Sequence, residues 1–150
     1  MESKRISEKK GHDFTKKNKV SVWVSQHPYA DIPDDYFEET FSKKNTRATN
    51  DWSDNYNLAF FVVENMETNG AETGTIKVKE AAGYCSFSSS YIQTLMSKAK
   101  KKTIDNITWI ILLFDFEYSP KISGVEKDQY TTFLGAFNYD DEAENLYEID

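Results

Sequence analysis

The chain has very few of the residues that build metal centres or covalent cross-links. It contains one cysteine, Cys85, and two histidines, His12 and His27, among its 150 residues. A single cysteine excludes an intrachain disulfide, so the fold does not require an oxidising compartment. No two of these three residues have the spacing of a metal-ligand pair. We therefore expect no metal, no cofactor and no catalytic residues, and we expect Cys85 to be a buried structural residue.

Long apolar segments are also missing. The longest run, residues 109–114, is far too short to cross a bilayer, and residues 1–19 lack the apolar stretch of a signal peptide. The glycines at Gly70 and Gly74 do not have the spacing of a phosphate-binding loop. These absences predict a cytoplasmic protein that has no membrane partner.

Acidic residues are abundant, and they give the chain a net charge of −7. A negative protein repels phosphate backbones, so we expect no nucleic acid partner. Residues 1–19 carry a local charge of +4, which leaves −11 on the remainder. The acids form two clusters: Asp31, Asp34, Asp35, Glu38 and Glu39 in one, and Asp140, Asp141, Glu142, Glu144, Glu148 and Asp150 in the other. Such surfaces favour encounter with basic partners.

The length fits one domain with a core of its own. We divide the chain into a flexible basic arm at residues 1–18, a single domain at residues 19–140 and an acidic tail at residues 141–150. Aromatic residues make up 15% of the chain, which is unlike a disordered protein.

Alternating and continuous apolar runs predict four strands. They are residues 20–25, residues 58–63, residues 107–118 and residues 130–139. In the third, apolar residues occupy both faces of the first half, which is typical of a central strand. Strict alternation places Phe114 and Phe116 on one face, and Phe133 and Phe137 on one face. The last two strands are expected to pair as a hairpin because they are neighbours in sequence.

Helical spacing and turn residues predict three helices. They are residues 34–41, residues 76–82 and residues 88–102, the last with Ser88 as N-cap and a lysine run in its final turn. Residues 42–55 are expected to be a loop, and Asn69-Gly70 a turn. Together these elements predict an α+β fold, with a mostly antiparallel sheet of about four strands and helices packed mainly on one face.

Only one pair of residues suggests catalysis. Asp115 and Glu117 lie two apart on a predicted strand, so their carboxylates would point the same way and could act as an acid and base pair. A solvated strand end explains them more simply. Tyr118 follows, and an aromatic residue beside acids is typical of protein interfaces.

Four segments resemble a known family. They are KVSVWV at residues 19–24, GYCSFSSSYI at residues 83–92, WIILLFDFEY at residues 109–118 and FLGAFNY at residues 133–139. In order and spacing they resemble the immunity protein 22 family of bacterial polymorphic-toxin systems. The resemblance covers about residues 19–140.

The resemblance implies a cytoplasmic antitoxin that neutralises a cognate toxin with a basic surface, such as a nuclease. It supplies no catalytic residues. The contact residues expected from the charge pattern are Asp31, Asp34, Asp35, Glu38 and Glu39, or Asp115, Glu117 and Tyr118. Two alternatives remain at this point: a small hydrolase that uses Asp115 and Glu117, and a regulatory protein-binding module without a toxin partner.

Overall fold

The computed structural model describes residues 11–41 and 47–148. Residues 1–10 of the predicted arm, residues 42–46 of the predicted loop and the last two residues of the predicted tail lie outside the described residues.

The described residues form nine strands and four α-helices, in agreement with the predicted α+β class. The strands are β1 Thr15–Ser25, β2 Thr40–Phe41, β3 Arg47–Thr49, β4 Phe61–Val62, β5 Met66–Gly70, β6 Ile76–Lys77, β7 Asn106–Ile107, β8 Trp109–Phe116 and β9 Thr132–Asn138. The α-helices are α1 Asp51–Asn55, α2 Val78–Gly83, α3 Ile92–Lys101 and α4 Pro120–Ser123. Short 3-10 helices occupy Tyr29–Asp31, Asp34–Phe37, Val63–Asn65 and Ser88–Ser90.

A four-stranded antiparallel sheet, in the order β5-β8-β1-β9, forms the centre of the molecule. The expected hairpin between the last two strands is wrong, because β1 lies between β8 and β9. Val22 of β1 pairs with Leu112 on one side and with Gly135 on the other. Strand β1 buries side chains on both of its faces. A central position in the sheet suits such a strand because both faces of the sheet are covered there.

Each face of this sheet carries its own apolar core. On the first face, the valines of β1 and alternate residues of β8 pack against α2 and α3. On the second face, Trp23 of β1 packs with Trp52 of α1, with Tyr56 directly after that helix and with Phe61 of β4. The two longer helices do lie on one face, as expected, but the opposite face is covered as well, by α1, 3-10 turns and the β2-β3-β4 sheet.

Bulges interrupt the alternation of two central-sheet strands. Asp115 has a left-handed backbone, with φ 59°, and Phe114 and Phe116 on either side of it belong to opposite cores. Phe133 and Phe137 also face opposite cores, because the β1–β9 register shifts between Val22 and Trp23. Both predictions of a shared face are therefore wrong, since a bulge adds one residue and reverses every side chain beyond it.

The middle of the chain differs most from expectation. Only Asp34–Phe37 of the predicted helix at residues 34–41 is helical, and Phe41 lies in β2 with 48% of its surface exposed. The predicted loop at residues 42–55 contains β3 and α1. Helix α1 begins with a capping box, in which Asn50 Oδ1 accepts from the Ser53 N–H at 2.8 Å and Ser53 Oγ accepts from the Asn50 N–H at 2.9 Å.

Strand β5 was missed altogether, because its sequence METNG has no β-branched alternation and ends in a predicted turn. The predicted strand at residues 58–63 is reduced to β4, which lies outside the central sheet. The helix predicted at residues 76–82 begins at Val78, after a short strand.

The helix predicted at residues 88–102 begins at Ile92, so Ser88 is not its N-cap. The Ser88 hydroxyl instead donates to the Gly83 carbonyl at 2.8 Å and accepts from the Leu146 N–H at 2.8 Å. The lysine-rich last turn of this helix is confirmed.

The fold includes residues on both sides of the boundaries predicted at residues 19 and 140. Phe14 is buried, with its ring 5.1 Å from that of Tyr118, and β1 already begins at Thr15. In the tail, the Tyr147 N–H donates to the Gly83 carbonyl at 2.9 Å, and Leu146 packs on the first core.

We predict that Phe14→Ala lowers the free energy of unfolding by about 3 kcal/mol, because it leaves a cavity among aromatic rings. Urea denaturation measures the change. Lys16→Ala, at an exposed position two residues further along the chain, serves as the control and should stay within about 0.5 kcal/mol of the parent protein. A loss at Phe14 no larger than that at Lys16 would contradict a stabilising role for the buried Phe14 ring.

Candidate functional site

The first acidic cluster lies on a segment of two consecutive tight turns, residues 29–39, which we call the acidic segment. Each turn follows a proline: Tyr29–Asp31 begins after Pro28, and Asp34–Phe37 begins after Pro33. The Asp31 N–H donates to the Pro28 carbonyl at 2.8 Å, and the Tyr36 N–H donates to the Pro33 carbonyl at 3.0 Å. Because a proline ring fixes φ, both turns begin from a restricted backbone.

The acidic segment presents its carboxylates to solvent and its apolar side chains to the protein. All five predicted contact acids of this cluster are exposed: Asp31, Asp34, Asp35, Glu38 and Glu39. Ile32 and Tyr36 are buried in the second core. Within residues 11–41 and 47–148, no ion pair joins any of these five carboxylates to a base. The segment is thus an exposed negative surface that is anchored to the second core by its buried side chains.

A hydrogen-bond network fixes the segment to the rest of the fold through Tyr36. The Tyr36 hydroxyl donates to Asp128 Oδ2 and lies 3.0 Å from Thr131 Oγ1. Asp128 Oδ1 in turn accepts from the N–H groups of Tyr130 at 2.9 Å and Thr131 at 2.8 Å. Burial, together with the hydrogen bond to Asp128, raises the pKa of Tyr36 well above its usual range. The phenol therefore stays a neutral donor throughout the physiological range.

Asp115 and Glu117 are occupied by contacts within the fold. Asp115 Oδ1 accepts from the Asn18 N–H at 3.0 Å and from the Tyr139 hydroxyl at 2.8 Å. Glu117 forms an ion pair with Lys19, at 3.4 Å between Oε2 and Nζ. The bulge at Asp115 also removes the strict alternation on which a shared catalytic face was predicted. Asp115 instead links β8 to the start of β1 and the end of β9.

Tyr118 is an interior residue, with 2% of its surface exposed. Its hydroxyl donates to the Val125 carbonyl and contacts the Ser123 hydroxyl. Burial raises the pKa of Tyr118 to about 12. A partner cannot reach this ring without moving it, unlike the exposed acids of residues 31–39.

The two acidic clusters lie on separate surfaces. The acidic segment covers the second core, through Ile32 and Tyr36, whereas the tail packs on the first core, through Leu146. The side chains of Asp140, Asp141, Glu142, Glu144 and Glu148 are exposed there. Since the central sheet separates the two cores, the clusters form two surfaces and not one continuous one.

Cys85 is buried, as expected. Its thiol lies 3.5 Å from the Ala81 carbonyl, and burial raises its pKa to about 12. The thiolate that nucleophilic chemistry requires is therefore disfavoured. In the part of the chain that the structure describes, no three or more His, Cys, Asp or Glu side chains are grouped so that they could hold a metal ion. None of the helices described there is both long enough and apolar enough to span a bilayer.

The fold and this site define a small α+β protein that carries an exposed, preformed acidic surface on a two-sided sheet. The family model Immunity protein 22 matches residues 20–140 of the chain. The chain belongs to that family, and the resemblance carried by the strand and helix segments is confirmed. No curated protein and no solved structure matches the chain.

We predict that Tyr36→Phe lowers the free energy of unfolding at pH 7 by about 1 kcal/mol, because the Asp128 carboxylate loses a buried donor. Above pH 10, Tyr36 ionises in the unfolded protein but keeps its proton in the folded one. Its presence therefore lowers the free energy of unfolding as the pH rises. The variant should therefore lose less stability than the parent between pH 10 and 12, by up to about 1.4 kcal/mol per pH unit. Denaturant titrations at several pH values measure both effects, and parallel curves would contradict the second.

We predict that Asp115→Ala destabilises the protein by about 2 kcal/mol, because it removes two hydrogen bonds and leaves alanine in a left-handed backbone. Asp115→Asn keeps Oδ1 as an acceptor and should cost less than half as much. Thermal unfolding distinguishes the two substitutions. If both substitutions destabilise the protein equally, the charge of Asp115 stabilises the fold and its hydrogen bonds do not.

Proposed function

We propose that this protein is a cytoplasmic immunity protein that binds and neutralises a cognate bacterial toxin, and that the acidic segment is its principal contact surface. Membership of the Immunity protein 22 family supports the immunity role. The observation that supports the contact surface is the set of five exposed carboxylates, unpaired within the described residues, on a segment anchored by buried Ile32 and Tyr36.

The partner in this proposal has a basic surface. Carboxylates in a water-exposed patch raise the rate of encounter with a positive partner and disfavour a negative one. The surfaces with which nucleases bind nucleic acid are basic because they neutralise phosphates, so a nuclease toxin fits this surface. In such a complex the acidic segment would cover the site that the nucleic acid otherwise occupies.

The protein acts by binding in this proposal, and not by catalysis. The alternative of a hydrolase based on Asp115 and Glu117 is disfavoured, because one carboxylate accepts two structural hydrogen bonds and the other pairs with Lys19.

Neutralising the acidic segment should slow binding to the toxin encoded beside this gene. The variant carries five substitutions, Asp31→Asn, Asp34→Asn, Asp35→Asn, Glu38→Gln and Glu39→Gln. We expect its association rate constant at low salt to fall at least about tenfold, with a weaker dependence on salt than in the parent. Surface plasmon resonance measures the rates, and co-expression with the toxin measures protection of cells.

The tail provides a control with the same change of charge. Asp140→Asn, Asp141→Asn, Glu142→Gln, Glu144→Gln and Glu148→Gln also remove five negative charges, but on the opposite face. We expect this variant to protect cells as the parent does and to lose far less of its association rate than the acidic-segment variant, because its charges lie on the face turned away from the partner. Equal losses in both variants would show that the acidic segment has no special role, and a parent protein that gives no protection would contradict the toxin proposal itself.

A further inference from the structure

A cavity of about 350 Å³ opens beside the acidic segment. Its apolar lining comes from the segment, from the edge of the central sheet and from the 3-10 turn between them: Tyr29, Phe37, Val63, Met66 and Trp109. Glu39 is the charged residue of the lining, and Asn50 and Thr68 complete it. The lining thus combines apolar side chains with one exposed carboxylate.

The aromatic wall of the cavity is open to solvent. The ring of Tyr29 lies against that of Trp109, with centroids 5.0 Å apart and planes inclined by 31°. Tyr29 keeps 45% of its surface exposed, among the most exposed large apolar residues of the described chain. An exposed aromatic side chain next to an apolar cavity is typical of an interface anchor.

We propose that this cavity receives one arginine or lysine side chain of the protein partner. The inference rests on the proposed function, since it specifies what the acidic segment binds. The aliphatic part of such a side chain packs on Phe37, Val63 and Met66, in the way that long basic side chains cover apolar surface. Its cationic end lies near the Glu39 carboxylate and the faces of the two aromatic rings.

The charges around the cavity select this occupant. Glu39 lines it, and Asp31, Asp34, Asp35 and Glu38 lie on the same segment. An acidic side chain is repelled by this set, and a neutral apolar one gains nothing from its negative charge. A long basic side chain offers apolar surface to the lining and a positive charge to Glu39.

A direct test uses amino acid amides as probes and the indole N–H signals of the three tryptophans as reporters. Trp23 and Trp52 are fully buried, whereas Trp109 is partly exposed and lines the cavity. We expect N-acetylarginine amide at millimolar concentrations to shift the Trp109 signal in a ¹H–¹⁵N spectrum and to leave the other two unchanged. N-acetylnorleucine amide, which is neutral, should shift it several-fold less. No shift with the basic probe, or equal shifts with both probes, would overturn the proposal.

Two substitutions test the cavity in the complex. Tyr29→Ala removes part of the aromatic wall, and Thr68→Trp places a large side chain at an exposed position of the lining. We expect each to raise the Kd for the toxin about tenfold or more. The matched controls are Ile122→Ala, which truncates an exposed residue elsewhere, and Thr73→Trp, which adds the same bulk at an exposed position outside the lining. Both controls should change Kd less than about twofold.

The outcomes separate this inference from the proposed function. If the toxin binds but Tyr29→Ala and Thr68→Trp leave Kd unchanged, the cavity proposal is wrong and the immunity role stands. If the basic probe shifts Trp109 but no toxin is neutralised, the cavity recognises basic side chains and the proposed function fails. Circular dichroism and thermal unfolding of each variant confirm that it is folded before binding is measured.

Discussion

The two central strands of this protein bury side chains on both faces, and water must be excluded from both sides of the sheet. Val22 faces one core and Trp23 the other, and Leu112 and Leu113 divide in the same way. Both cores are required, because uncovering one face of the sheet would expose several large apolar side chains to water. The rest of the fold is arranged around this constraint, with α2 and α3 on one face and an aromatic layer on the other.

The aromatic layer has a direct consequence for the surface above it. Trp23 and Trp52 meet edge to face, with centroids 4.9 Å apart, and this layer continues through Tyr36 to the acidic segment. The carboxylates of the segment are therefore carried on a backbone that is held by buried rings, prolines and the Asp128 network. A preformed surface of this kind loses less conformational entropy when it binds than a mobile tail of equal charge.

Carboxylates play three different roles here, and their surroundings decide which. Asp128 is a hydrogen-bond acceptor that anchors the segment, and Asp115 is an acceptor that joins three strands at a bulge. The acids of residues 31–39 have no such role within the described structure, and they remain available to a partner. Residue type alone does not distinguish these cases, since the same side chain is structural when it meets donors and available when it meets water.

Local patterns predicted the elements whose periodicity is strong. Residues 20–25, the first half of β8 and the amphipathic helix α3 follow from alternation or helical spacing, and the exposure of the acids at residues 31–39 follows from their density. Strand β5 could not be found in this way, because an edge strand that packs through Met66 needs no alternating pattern. The capping box of α1 was present at Asn50 and Ser53, but it lies within a polar stretch that resembles a loop.

The sequence by itself determined the α+β class, the strong strands and the amphipathic helix, because hydrogen-bonding geometry gives each element its own period. It also determined the uneven charge and the family resemblance. Only the tertiary structure decided that β1 lies between β8 and β9, that Asp115 reverses the faces beyond it, and that Tyr118 is interior. These features depend on which strands occupy the central positions of the sheet, where both faces are buried. That choice is set by contacts between residues far apart in the chain.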